Sequence, residues 1–201
     1  MFDLELLKIW IELNPDWISI SIFIIAFIES FVGIGLFMPG VILLAMASGI
    51  AYLANVHPLE IFLYGYIGAC LGDILSFLIG GLFQERINSI WPFSKYPDAL
   101  EKGRLFFNKY GIYGILIGRF MGPIRTVLPA IAGTMGMSKH KFLFIDLTSG
   151  IPWAFFYILS PYYLTQSFPK ELPLFVYLLG LIFIVVLIVG IRIFLQRFNK
   201  A

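Results

Sequence analysis

The sequence predicts an all-α, polytopic membrane protein, and three observations carry that expectation. Of its 201 residues, 60% are hydrophobic and only 13% charged, with a mean hydropathy of +0.91, which is too apolar for the surface of a soluble domain of this size. The apolar residues also collect in stretches that reach roughly the 20 residues a bilayer core requires. No stretch alternates apolar and polar residues as a lipid-facing barrel strand does, and a helix is the element that satisfies its own backbone in hydrocarbon. One membrane domain over residues 1–201 follows.

Residues 17–55 form an apolar region longer than one crossing, broken by Gly33, Gly35 and Pro39-Gly40. Residues 58–83 read as a full transmembrane helix, interrupted only by Glu60 near its start and Asp73 near its middle. Its Gly68, Gly72, Ser76 and Gly80 recur every four positions, a small-residue ridge along which another helix can approach. Residues 94–110 carry Asp98 with Glu101 three positions on, a variant of the capping box. They predict a short interfacial helix, with Lys102, Arg104 and Lys109 toward headgroups and Leu100, Phe106, Phe107 and Tyr110 dipping into the membrane; a plain amphipathic linker is the other reading. Residues 111–137 are broken by Gly122-Pro123 and Pro129 and hold two arginines. Residues 141–163 and 172–191 are the remaining two of about three full transmembrane helices.

Proline and glycine release backbone groups from the helix ladder, which is tolerable at membrane depth only where protein or a wet cavity covers them. Residues 17–55 and 111–137 are therefore expected to be helical hairpins or broken helices lining an internal site. They resemble one another weakly: Glu29 precedes Pro39 by ten residues, and Arg119 precedes Pro129 by ten. Interrupted segments at matching places in two halves point to a transporter-type site.

If both broken regions return to the side they enter from, Arg86, Lys95, Lys102, Arg104, Lys109, Lys139, Lys141, Arg192, Arg197 and Lys200 share one face. Only Lys8 and Lys170 fall on the other. The positive-inside rule then makes the loop after Phe83 and the C-terminus cytoplasmic. Met1 to Trp10 has no basic n-region and carries Asp3 and Glu5, so no cleavable signal peptide is expected. A net charge of +2 gives no reason to expect a nucleic-acid partner, and the single Cys70 is expected to pack rather than pair.

Four ionisable residues lie inside apolar runs: Glu29, Asp73, Arg119 and Arg125. At roughly 2.5–3.5 kcal/mol each on insertion scales, their penalty is on the order of 10 kcal/mol, and such residues commonly mark substrate sites or ion pathways. A buried structural ion network is the alternative. Six residues along a regular helix turn through about 240°, so Arg119 and Arg125 converge only because Gly122-Pro123 interrupts the helix. Two planar guanidinium forks suit the oxygens of a phosphate, so a phosphorylated amphiphile is the expected ligand. Glu29 is a candidate proton carrier, since burial favours its neutral form and a nearby arginine its charged form. Asp73 either carries a proton too or holds an arginine in place. Asp146, about five residues inside its helix from Lys141, is expected at an interfacial or capping position rather than in the site. His57 and His140 have no partners at ligand spacing, so neither metal nor other cofactor is expected. Nucleophile elbows, HExxH and Gly-rich phosphate loops are likewise missing, so no enzyme is expected.

The run from Gly118 through Arg119, Phe120, Met121, Gly122, Pro123, Ile124 and Arg125 to Thr126, continuing through Pro129 and Ala132-Gly133 to Met137 and Phe142, resembles the signature of the DedA family, also called the SNARE-associated Golgi or VTT-domain family. Glu29 ahead of Pro39-Gly40, Gly72-Asp73 and Trp153 agree with it, and the resemblance covers about residues 20–165. It implies two re-entrant hairpins facing each other and movement of lipids between leaflets. In bacterial members of the inner membrane it implies transport of undecaprenyl phosphate driven by the proton motive force. The family's essential acid falls on Glu29 and its two arginines on Arg119 and Arg125, with Pro39, Gly40, Gly122 and Pro123 in support. Three positions depart from the pattern: Val41 where many members carry an acid, Asp146 where an asparagine is common, and Gly80-Gly81 where Gly-Arg often closes the third helix. With Val41 in place, Asp73 is a candidate substitute for the missing acid. Residues and resemblance together lead us to expect a transporter whose partners are an anionic lipid, protons and the bilayer, with oligomerisation left open. A small-ion/proton antiporter and a non-transporting scaffold are the competing classes.

Overall fold

The structure, a computed structural model, describes residues 14, 16–83, 94 and 97–167. The expected span 172–191 and the basic residues Lys8, Arg86, Lys95, Lys170, Arg192, Arg197 and Lys200 lie outside the described residues. Within them the chain is helical, with no strand. In order come α1 (Asp16–Ser30), α2 (Gly40–Leu53), α3 (Pro58–Phe83), α4 (Pro97–Tyr110), α5 (Ile112–Gly118), α6 (Pro123–Thr134), α7 (Lys139–Ala154), a π-helical turn (Phe155–Leu159) and α8 (Ser160–Gln166).

Among the described residues, two helices are long and apolar enough to cross a bilayer: α3, and the continuous run of α7, the π turn and α8 over Lys139–Gln166. At 26 and 28 residues they extend about 40 Å, against a hydrocarbon core of about 30 Å. The π turn falls beside Pro161, which cannot donate to the carbonyl one turn back, and the Ser160 hydroxyl donates to the Phe155 carbonyl at 3.2 Å. Both broken regions are helix-break-helix units. At 14 and 15 residues, α2 and α1 are each about 20 Å long and too short for a full crossing.

The polarity of α3 is that of a helix with lipid outside and polar groups within. Leu63, Ile67, Leu71, Leu75, Leu78 and Leu82 are exposed, while Asp73 and Ser76 are buried. The small-residue ridge turns inward and serves as the sequence suggests. A Cβ at Gly68 would strike the Phe23 carbonyl of α1, one at Gly72 would lie 2.6 Å from the Phe27 carbonyl oxygen, and one at Gly80 would strike the Ala130 carbonyl of α6. Ser76 accepts the Val32 backbone N–H at 2.8 Å, supplying a partner where the chain leaves α1. Thus α3 is the spine on which the first helix of one broken unit and the last of the other are seated.

The main apolar core joins α1, α2, α3 and the α7–α8 run through Ile22, Ala26, Leu44, Ala51, Ile61, Ala69, Trp153 and Ile158. A second cluster stacks Phe77 on Phe142, with centroids 4.2 Å apart. The helix expected at 94–110 is α4, but two of its three aromatic residues, Phe106 and Phe107, pack on protein. Phe107 packs on Val127 and Ile131, and Phe106 lies beside Gly114 and Gly118. Gly103 is the reason, because the Ile131 side chain occupies the place its Cβ would take and α4 closes onto α6. Leu105 and Tyr110 are exposed, and the side chain of Leu100 lies outside the described residues.

Candidate functional site

Glu29 stands in the last turn of α1, beyond which the chain turns through residues 31–39 with Gly33 at φ +99°. Its side chain runs through the space that a side chain at position 40 would need. A Cβ there would lie 2.6 Å from the Glu29 Cβ and 2.7 Å from its carboxyl carbon. Only glycine lets α2 begin against this carboxylate. The second break works in the same sense. Arg119 follows the end of α5, Gly122 adopts φ +46°, and Pro123 opens α6, which returns Arg125 in its first turn.

Both arginines are almost completely buried, at 3% and 4% exposure. The Arg125 Nη1 donates to Glu29 Oε1 at 2.9 Å, and its Nη2 donates to the Ser30 hydroxyl at 2.6 Å. The Arg119 Nη2 pairs with Asp73 Oδ2 at 3.0 Å, while Nη1 pairs with Asp146 Oδ1 at 2.8 Å. Nη1 also donates to the Asp146 carbonyl at 2.6 Å and to Ser149 Oγ at 3.1 Å. The Trp153 ring lies under both guanidiniums, 4.1 Å from the Arg125 carbon and 5.8 Å from that of Arg119. Asp73, Arg119, Arg125 and Asp146, with Ile115, Leu128 and Pro129, line one small cavity with room for about a single water.

The structure therefore brings Glu29, Asp73, Arg119 and Arg125 into one network, with the two arginines on a common cavity. It corrects the placement of Asp146, which at 1% exposure is the most deeply buried charged residue of the site and a direct partner of Arg119 rather than an interfacial or capping residue. The helix begins at Lys139, which puts Asp146 two turns deep. Asp146, Ser149 and Trp153, three and four residues apart, also line one helix face, a polar stripe that could have revealed the inward side. Charge balance changes accordingly. Two acids and two arginines would sum to zero, but three carboxyls meet two guanidiniums. Several polar atoms of the network have no hydrogen-bond partner, namely Glu29 Oε2, Asp73 Oδ1, Asp146 Oδ2 and the Nε of both arginines. As it stands the site is closed to a phosphate, since the terminal nitrogens of both guanidiniums are already occupied by protein acceptors.

Comparison with known proteins places this geometry in context. The model of the VTT domain matches residues 38–163. The chain is 30% identical over 155 residues to the inner membrane protein YabI of Escherichia coli strain K12, an overlap of 77% of this chain and 61% of YabI. It is 31% identical over 153 residues to Protein DedA of the same strain, covering 73% of this chain and 68% of DedA. With the inner membrane protein YqjA, also of that strain, it shares 32% identity over 145 residues, or 70% of this chain and 66% of YqjA. The chain thus spans 61% of the length of YabI. No solved structure matches it.

Proposed function

Since the chain belongs to the VTT-domain family, that of the DedA inner membrane proteins, we propose that it is a membrane transporter that moves an anionic lipid between leaflets. Its cargo in this reading is undecaprenyl phosphate or a lipid with a similar phosphate headgroup, and its place is the inner membrane of a bacterium. The observation that most supports it is that Arg119 and Arg125 line one buried cavity, each held by carboxylates that phosphate oxygens can replace.

The exchange works by substitution of one anion for another. A headgroup that takes Arg125 frees Glu29, and a freed carboxylate in a site of low dielectric takes up a proton instead of remaining an uncompensated charge. Glu29 thereby carries the proton, and its return to Arg125 expels the phosphate. The two broken units are re-entrant in this scheme, each returning to the side it enters from. Their breaks, which meet through Glu29 and Arg125, open in turn to either side. The loop after Phe83 and the C-terminus lie in the cytoplasm.

A leaflet assay in reconstituted vesicles tests the reading. Arg125→Lys keeps the charge but removes the fork, so it is expected to lose transport as Arg125→Ala does. Full activity of the lysine variant overturns phosphate recognition by the arginines. Glu29→Gln is expected to abolish the pH dependence of transport, and an unchanged pH profile removes Glu29 as the carrier. The excess of carboxyls over guanidiniums favours a second reading, a small-ion/proton antiporter. Cation-driven proton flux without lipid movement in the same vesicles would establish it.

A further inference from the structure

Three carboxyls share two guanidiniums in this site, so full ionisation leaves one negative charge with no counter-ion at a depth where water cannot screen it. The surplus can be located. Glu29 has Arg125 to itself, whereas Asp73 and Asp146 divide Arg119 between them, one carboxylate oxygen on each terminal nitrogen. Each aspartate has its other oxygen without a partner, Oδ1 on Asp73 and Oδ2 on Asp146, and both side chains line the cavity beside Arg119. Because they bind the two adjacent terminal nitrogens of a single guanidinium, the two carboxyls stand side by side at the mouth of the same cavity.

We propose that Asp73 and Asp146 form a proton-binding dyad, sharing one proton between their unpartnered carboxyl oxygens in the resting protein. A single proton on this pair turns two acceptors into a donor and an acceptor and brings the network to neutrality. The other groups that face the dyad are consistent with this. From α3 the Cys70 thiol stands beside Arg119 and Asp146, with Tyr66 one turn further along; from α6 comes Arg125, and from α1 Glu29. None of them supplies a further positive charge beyond the two arginines already counted.

The dyad is argued from the shared arginine, the unpartnered oxygens and the common cavity. Its use in coupling rests on the transport reading: a headgroup that draws Arg119 away leaves the dyad without its cation, and a second proton then enters the pair.

Infrared spectroscopy of the full chain in lipid vesicles near neutral pH tests the dyad through the carbonyl band of a protonated carboxylic acid, identified by its shift in deuterium oxide. The wild type is expected to show the band and Asp146→Asn to lose it, with a melting profile confirming that the variant is folded. Cys70→Ala, which alters the surroundings of Asp146, is expected to move the band, and Ser30→Ala, which alters those of Glu29, to leave it in place. Absence of the band in the wild type, indifference to Cys70→Ala, or movement with Ser30→Ala overturns the dyad. A band that behaves as expected in vesicles where no lipid moves keeps the dyad and overturns the transport reading.

Discussion

Among the described residues, the Glu29–Arg125 pair is the contact that joins the two breaks by charge, and a double-mutant cycle measures what it contributes. Glu29→Gln alone leaves the Arg125 guanidinium buried with no counter-charge, and Arg125→Met alone leaves the Glu29 carboxylate in the same position. Breaking a buried pair from one side costs about 3–5 kcal/mol, because it is the orphaned charge that is penalised. The double variant has no orphaned charge. It loses the hydrogen bond to Ser30 at 2.6 Å, about 1 kcal/mol, and the stacking over Trp153 at 4.1 Å, about 1–2 kcal/mol. Each single variant is therefore expected to be at least as destabilised as the double, with a coupling energy of at least about 3 kcal/mol, at or above the upper end for residues in direct contact. Reversible denaturation in mixed micelles is the assay. A double variant that equals the sum of the singles, with coupling below about 0.5 kcal/mol, refutes the claim that these two charges compensate each other across the breaks.

Two further predictions use glycines as steric probes. Gly80→Ala drives a methyl group into the Ala130 carbonyl of α6, whereas Gly81→Ala meets its nearest neighbour, the Gly133 carbonyl oxygen, at an ordinary 3.7 Å. The first is expected to cost about 1–3 kcal/mol and the second almost nothing, measured by melting temperature in one detergent. Gly40→Ala displaces Glu29 from Arg125 without changing any charge, so it is expected to impair transport and its pH dependence together, with retained fold; wild-type transport in that variant would show that Glu29 need not be seated where it is.

What the sequence discloses follows from the kind of signal each residue carries. A charge in an apolar run is conspicuous at any position, which is why Glu29, Arg119, Arg125 and Asp73 stand out from the residue order alone. The glycine ridge of α3 is equally legible, because its period of four is close to the helix's own. Asp146 is misplaced by a depth counted from Lys141, because the helix begins two residues earlier and a buried face can lie close to a helix end. The pairing of Asp73 with Arg119 rather than Arg125 depends on which faces of α3, α5 and α7 meet, and no local pattern encodes that. Phe106 and Phe107 show a related limit: periodicity identifies the apolar side of α4, and the residue that decides whether lipid or protein covers it is Gly103, whose missing side chain is filled by Ile131.

The surplus acid also bears on whether the network is only structural. A buried network kept for structure alone is under pressure toward matched charges, since each unmatched one is destabilising and two well-packed apolar residues serve as well or better. Among the described residues the site instead has Arg119 serving two carboxylates and unpartnered oxygen atoms on all three acids. Groups in that condition accept a proton or a new partner readily, which a static brace does not require and a binding cycle does. The closed cavity fits the proposed cycle, in which both cations stay held by the protein's own anions until an anionic ligand displaces them. In the proposed cycle, the exchange of carboxylate for phosphate is limited by how readily the carboxylates leave. On that argument Asp146→Asn, which weakens the hold on Arg119 without removing an acceptor, is expected to loosen phosphate selectivity in the leaflet assay while Arg125→Lys abolishes transport; equal loss in both variants would assign the two arginines a single, inseparable role.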